Sequence, residues 1–233
     1  MAVFLKWLTE TDDGLFTRIA VGATNFLTLA IADLRKNHRQ ATRWREYLFL
    51  LASVGVALIY GIINDLITCR ISPEYFLYGK GLDAVVGNRF PLSLARLPWE
   101  AAKVGMKATW TVGLIVGVAL LFANNPSAHR RRLTYRELFT ALPLVVGGSL
   151  IAALVLGIIG SLGGLAILSE DFREMIRRDE FRPYRFMTVY GIHLGGYLGG
   201  ITGTVLAVLR IHRRRRIVSV PPFNPSATAP QPV

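Results

Sequence analysis

The stretch PLVVGGSLIAALVLGIIGSLGGLAIL, residues 143–168, decides the class of fold because it contains no charged side chain. An α-helix rises about 1.5 Å per residue and the hydrocarbon core of a bilayer is about 30 Å thick, so about 20 such residues cross it. Small residues recur at every fourth position, at Ser149, Ala153 and Gly157, a spacing that lets membrane helices approach closely. The stretch therefore predicts a transmembrane helix that packs tightly against another.

Three other apolar stretches predict further spans, at residues 46–68, 102–123 and 187–209. Hydrophobic residues make up 52% of the chain and the mean hydropathy is +0.40, although the formal net charge is +12. The apolar runs are continuous and do not alternate with period two, which excludes a transmembrane β-barrel. The prediction is an all-α fold, a four-helix transmembrane bundle covering residues 46–210.

The N-terminal segment, residues 1–45, is predicted to be basic and cytoplasmic and to contain an amphipathic interfacial helix. Apolar residues such as Phe16 and Ile19 recur there at helical spacing, with polar residues on the other faces. We interpret residues 15–35 as a helix that lies on the membrane surface. As a fifth span they would place Arg18 in hydrocarbon at a cost of about 2.5–3.5 kcal/mol. The sequence leaves open whether this segment lies on the membrane or crosses it.

Basic residues near the ends of the spans predict the orientation, because cytoplasmic loops carry an excess of Lys and Arg. With four spans, the basic segments 35–45, 130–136 and 210–216 share one side of the membrane. This favours a multi-pass protein of the cytoplasmic (inner) membrane with both termini in the cytoplasm. The basic segments suit anionic lipid headgroups, so they require no nucleic acid. Residues 211–233 are predicted to form a basic and then disordered tail.

Glycines at helical spacing predict close packing between the spans. They are Gly191, Gly195, Gly199 and Gly203 on the fourth predicted span, Gly157, Gly160 and Gly164 on the third, and Gly113 and Gly117 on the second. These glycines can close the bundle within one chain, or they can form a seam in a homo-oligomer or in a larger membrane complex. The sequence does not separate the two.

A candidate polar cluster consists of four ionisable residues in or next to the spans: Asp65, Glu74, Lys107 and His193. A charge in hydrocarbon is costly and marks either a pair or a pathway. In the predicted topology all four fall in the outer half of the bundle, where Lys107 can pair with Asp65 and where Asp65 with His193 is a candidate proton relay. Each also has a simpler interpretation, as a snorkelling lysine, a packing histidine or an exposed loop carboxylate.

The same cluster offers weak candidates for metal ligands in Asp65, Glu74 and His193, but their spacing matches no compact metal motif. No metal or cofactor is therefore predicted. The chain has no Gly-x-Ser-x-Gly elbow, no phosphate-binding glycine loop and no His-Glu-x-x-His motif. The sequence therefore disfavours an enzyme.

The stretch NDLITCRISPEYF, residues 64–76, resembles the hallmark of a family of uncharacterised bacterial four-span membrane proteins. In that family an acidic residue at the end of the first helix leads into an Ile-Ser-Pro-Glu-Tyr-Phe loop. Residues 108–113 and 193–200 also fit the pattern, except that Thr111 stands where a second tryptophan is expected. The resemblance covers about residues 46–210 and implies the four-span architecture without implying an activity. It singles out three members of the polar cluster: Asp65, Glu74 and His193.

Two classes of function remain, and the sequence favours the first. It is a structural or accessory membrane subunit that packs through glycine-rich helix faces. The second is a small oligomeric transporter, or an ion- or proton-handling protein, that uses the Asp/Glu/Lys/His cluster of the outer leaflet. A closed ion pair favours the first class, and polar groups that face a water-filled opening favour the second.

Overall fold

The computed structural model describes residues 15–36, 43–86, 96–125, 130–165 and 182–217. Within these ranges the chain is helical and contains no strand, which confirms the all-α prediction. The helices are α1 (Leu15–Lys36), α2 (Arg43–Ile71), α3 (Asp83–Val86), α4 (Leu97–Ala123), α5 (Tyr135–Phe139), α6 (Leu142–Ser161) and α7 (Pro183–Ile217), with a π-helical turn at Tyr75–Gly79.

Four helical units of the described part are long and apolar enough to cross a membrane. They are α2, α4, α7 and the α5–α6 unit, Tyr135–Ser161. The prediction of a four-span integral membrane protein is therefore confirmed. Helix α1 is not among the four, and its position on the membrane surface stays a prediction.

The spans differ from the predicted ones mainly at their ends. Helix α7 continues well past residue 209, whereas α6 ends at Ser161, before the predicted end at residue 168. Gly163 has a φ of 80°, and the backbone N–H of Gly164 donates to the carbonyl of Ile159 over 2.9 Å. This left-handed glycine closes the helix as a Schellman motif does. Gly164 therefore lies in a turn, and the prediction that it packs between helices is wrong.

Helix α1 is joined to α2 by a carboxylate. Asp33 accepts hydrogen bonds from the backbone N–H groups of Arg43 and Trp44, each at 3.1 Å. These are two of the N–H groups that the first turn of a helix leaves without an intrahelical partner, and a negative charge there is favoured by the helix dipole. Phe26 also packs on Tyr47, with ring centroids 6.0 Å apart. Helix α1 is thus held against the start of the first span.

The spans form two tight pairs, α2 with α4 and α6 with α7, and there is much less contact between the pairs. A Cβ at Gly105 would collide with the Gly61 carbonyl, and a Cβ at Gly195 would collide with the Ala152 carbonyl. Backbones this close require glycine. Other predicted packing glycines lie in the same two seams: Gly113 and Gly117 face α2, while Gly157, Gly160, Gly191, Gly199 and Gly203 lie between α6 and α7.

The end of the bundle that carries α5 is closed by buried polar side chains. Arg215 of α7 is 3% exposed, and its guanidinium donates to the carbonyls of Ala123, Asn125 and Arg131 at 2.6, 2.5 and 3.1 Å. The Asn124 amide exchanges two hydrogen bonds with the backbone of Leu133, at 2.8 and 3.0 Å. The loop between α4 and α5 is therefore bound both to α4 and to α7.

Candidate functional site

A cavity of about 450 Å³ lies between the two helix pairs and is lined by residues of α2, α4, α6 and α7. This volume is within the range of ligand pockets, about 300–1,000 Å³. Most of the wall is aliphatic or glycine. The lining includes four hydroxyl residues, Ser53, Thr109, Ser149 and Thr204. The larger polar side chains gather at the end of the cavity next to the α2–α4 loop, and they are Tyr60, Asn64, Asp65, Lys80, His193 and Tyr197. We call this the polar end.

Asp65 and His193 meet at the polar end. His193 Nε2 lies 3.7 Å from Asp65 Oδ1, and their side chains are 11% and 4% exposed. This distance is within ion-pair range but longer than a hydrogen bond. Asp65 Oδ1 also accepts a hydrogen bond from the Asn64 amide at 3.1 Å, and Thr68 Oγ1 lies 3.5 Å from His193 Nε2. Two titratable groups are thus in contact at a cavity wall, with polar neighbours on both sides.

The loop after α2 holds the imidazole in place. The Tyr75 ring stacks on His193 with centroids 5.0 Å apart and an interplanar angle of 12°, and Phe76 meets the same imidazole edge-on at 6.0 Å. Phe186 packs against the Tyr75 ring at 5.1 Å. Burial raises the pKa of the Tyr75 phenol, so Tyr75 stays neutral beside the histidine. The aromatic residues that follow α2 therefore fix the position of the His193 imidazole.

Glu74, by contrast, lies apart from the cavity. Its Oε2 accepts a hydrogen bond from the Ser72 hydroxyl at 2.8 Å, and Glu74 is not among the residues that line the cavity. Ser72 is fully buried and also accepts a hydrogen bond from the backbone N–H of Tyr75 at 3.4 Å. Glu74 therefore shapes the turn that carries Tyr75.

Lys107 also lies outside the main cavity. It borders a neighbouring hollow of about 200 Å³, whose other lining residues are Lys80, Leu82, Glu100, Lys103 and Val104. Lys107 is exposed, whereas Asp65 is buried among Asn64, Thr68 and His193. Lys103 forms an ion pair with Glu100 at 2.9 Å. Of the four residues of the predicted cluster, the structure brings together Asp65 and His193.

Lys80 and Tyr60 belong to the polar end, although the sequence analysis did not select them. Lys80 lies over the Tyr75 ring at 5.4 Å and lines both the cavity and the hollow. The Tyr60 hydroxyl is buried and has no hydrogen-bond partner among the described residues. A tyrosine inside an apolar helix and a lysine in a loop are ordinary in a membrane protein, so only their positions in space mark them.

No group of three or more His, Cys, Asp or Glu side chains in the described part of the chain is arranged to hold a metal ion. Comparisons of the chain with protein-family models, with curated proteins and with solved structures found no match.

Proposed function

We propose that this four-span protein is a small membrane transport protein in which Asp65 and His193 handle a proton. The observation that carries the proposal is the position of this pair, buried within the spans and on the wall of a ligand-sized cavity. Intramembrane carboxylate and imidazole groups in contact are the usual components of proton relays. The proposal selects the second of the two classes that the sequence left open.

The charge of the pair supports a proton-handling role. With Asp65 ionised and His193 neutral, the pair carries one negative charge among apolar walls. One added proton makes the pair neutral overall, whether the carboxylate or the imidazole holds it. Gain or loss of that proton therefore switches the pair between one negative charge and none.

The seams favour this class over an accessory subunit that packs through glycine faces. The packing glycines of α4 and α7 are turned toward α2 and α6 of the same chain. They are therefore used within the bundle. Much of the remaining exposed surface of the spans is aliphatic, as a lipid-facing surface is, with residues such as Ile151, Leu154 and Ile158.

The test is proton flux into vesicles that contain the purified protein and an internal pH dye, driven by a potassium diffusion potential. We expect wild-type vesicles to acidify faster than empty ones, and Asp65→Asn and His193→Gln to return the rate to that of empty vesicles. Glu74→Gln is the matched control, because it removes the charge of a carboxylate that does not line the cavity but keeps a side-chain oxygen that can accept the Ser72 hydrogen bond. It should keep the wild-type rate.

A chemical probe covers the case in which a variant fails to fold. Dicyclohexylcarbodiimide reacts with protonated carboxyl groups in apolar surroundings, so it should modify Asp65 in the wild-type protein. The proton flux should fall in parallel with the extent of this modification. A wild-type rate equal to that of empty vesicles would exclude the proposed function. So would an undiminished rate after complete modification of Asp65.

We also propose that the protein resides in a cytoplasmic membrane, with the polar end outside and both termini inside, as the basic segments indicate. In a bacterial host, green fluorescent protein fused to the C-terminus should fluoresce, and alkaline phosphatase fused at the C-terminus should be inactive. Phosphatase fused after Gly81, in the loop beside the polar end, should be active. The reverse pattern would show the opposite orientation.

A further inference from the structure

The cavity opens sideways between the helix pairs. Its lining includes apolar residues that remain exposed, Val112 and Ile115 on α4 and Ile201 and Val205 on α7. Ile115 and Ile201 are 67% and 65% exposed, and both lie in spans that cross the bilayer. What lies outside this opening is hydrocarbon. A molecule that enters here comes from the lipid phase.

The length and chemistry of the cavity fit an acyl chain. The lining runs from Asn64 and Asp65 down to Ser53 on α2, which at 1.5 Å per residue is about 18 Å along the helix, more than half of a hydrocarbon core. Below the polar end its walls are mainly valine, isoleucine, leucine, alanine and glycine. Such a wall offers dispersion contacts along its whole length and few hydrogen bonds.

The polar end adjoins a basic hollow. Lys80 and Val104 line both spaces, so the cavity and the hollow meet at these residues. The hollow contains three lysines, Lys80, Lys103 and Lys107, and one carboxylate, Glu100, which is paired with Lys103. Asp65 is the acidic group on the cavity side, and it is already held by Asn64 and His193. Among the described residues that line the hollow, lysines outnumber carboxylates, which suits a carboxylate or phosphate.

We propose that this cavity binds the chain of an anionic long-chain amphiphile, with its carboxylate or phosphate in the basic hollow. The inference rests on the same cavity as the proposed function but not on proton movement. Lys80 and Lys107 would bind the headgroup. The walls formed by α4 and α7 would contact the chain. The buried Tyr60 hydroxyl, on α2, also lines the cavity and is a further donor.

The test uses a palmitic acid that carries a photoreactive diazirine on its chain, added to phosphatidylcholine vesicles containing the protein. Labelled residues are located by mass spectrometry. We expect the label on cavity-lining residues of α4 and α7, and we expect palmitate to compete it away. Hexadecanol, which has the chain without the charge, and acetate, which has the charge without the chain, should compete much less.

Variants separate the two parts of the site. Val112→Trp and Ile201→Trp fill the cavity from opposite walls and should lower its labelling several-fold, whereas Ile151→Trp, on an exposed face of α6, should not. Lys80→Gln combined with Lys107→Gln should weaken palmitate competition about tenfold, which corresponds to about 1.4 kcal/mol. Arg213→Gln with Arg214→Gln removes the same charge at the far end of α7 and should have no effect.

Three results would overturn the inference: label spread over the lipid-facing surface of all spans, equal competition by hexadecanol, or equal competition by acetate. Labelling is measured without a proton gradient, so it is independent of the flux experiment. A protein that is labelled as expected but moves no protons would refute the proposed function and leave the amphiphile site standing. Proton flux without cavity labelling would refute the amphiphile site and leave the proposed function standing.

Discussion

Replacing Arg215 with Met is expected to lower the free energy of unfolding by about 3 kcal/mol. The guanidinium donates to carbonyls of α4 and of the α4–α5 loop, and hydrogen bonds of a charged group contribute roughly 1.5–3 kcal/mol each. Methionine fills a similar volume but leaves the buried Ala123 carbonyl and the partly buried carbonyls of Asn125 and Arg131 without this donor. Unfolding with increasing SDS in mixed micelles measures the loss.

The same basic run supplies the control for this prediction. Arg214 is exposed and belongs to the same helix, so Arg214→Met removes an equal charge without removing a buried hydrogen-bond donor. We expect it to change stability little. Arg215→Lys should recover only part of the loss, because one ammonium cannot reach carbonyls on several sides as a planar guanidinium does. Equal behaviour of the Arg214 and Arg215 variants would refute this role for Arg215.

Replacing Gly195 with Ala is expected to destabilise the protein by about 1–3 kcal/mol, the usual cost of overpacking. The added Cβ would collide with backbone atoms of Ala152 and Ala153 on α6. Backbone cannot move aside as a flexible side chain can, so α6 and α7 must separate. Thermal unfolding in detergent, followed by size-exclusion chromatography of the soluble fraction, measures the effect.

Gly147 gives the matched control, because it lies on α6 and a Cβ there would meet nothing within 4 Å. In a helix, alanine is favoured over glycine by up to about 1 kcal/mol. Gly147→Ala should therefore leave stability unchanged or raise it, opposite in sign to Gly195→Ala. A destabilisation of equal size at both positions would mean that the close contact between α6 and α7 does not require glycine at position 195.

Only part of the candidate site could be predicted from the types and positions of residues in the sequence. Asp65 and His193 were selected because ionisable groups inside spans are rare and costly, and the structure places them in contact. The same reasoning selected Glu74 and Lys107, which lie beside Ser72 and on the neighbouring hollow. Distance along a helix axis gave the depth of each residue but not the direction in which its side chain points. Depth alone could not separate the pair from its neighbours.

Arg215 illustrates the opposite case. In the sequence it is one of several adjacent arginines, all of which suit a cytoplasmic, lipid-facing segment. In the structure its neighbours on both sides are exposed, while it alone in the described part of this run is buried. The helical repeat turns this one position toward α4. A charge run cannot reveal which member faces inward, because that depends on how the helix is rotated.

The amino-acid sequence specifies the four spans and the all-α class, because hydropathy and length act within each segment and the bilayer is the partner of every span. It also located the small residues that allow close approach. The tertiary structure alone decided which helices pair, that the glycines are used within the chain, and that a cavity with Asp65 and His193 at one end lies between the pairs. Those features depend on contacts between segments far apart in the chain, and no local pattern specifies such contacts.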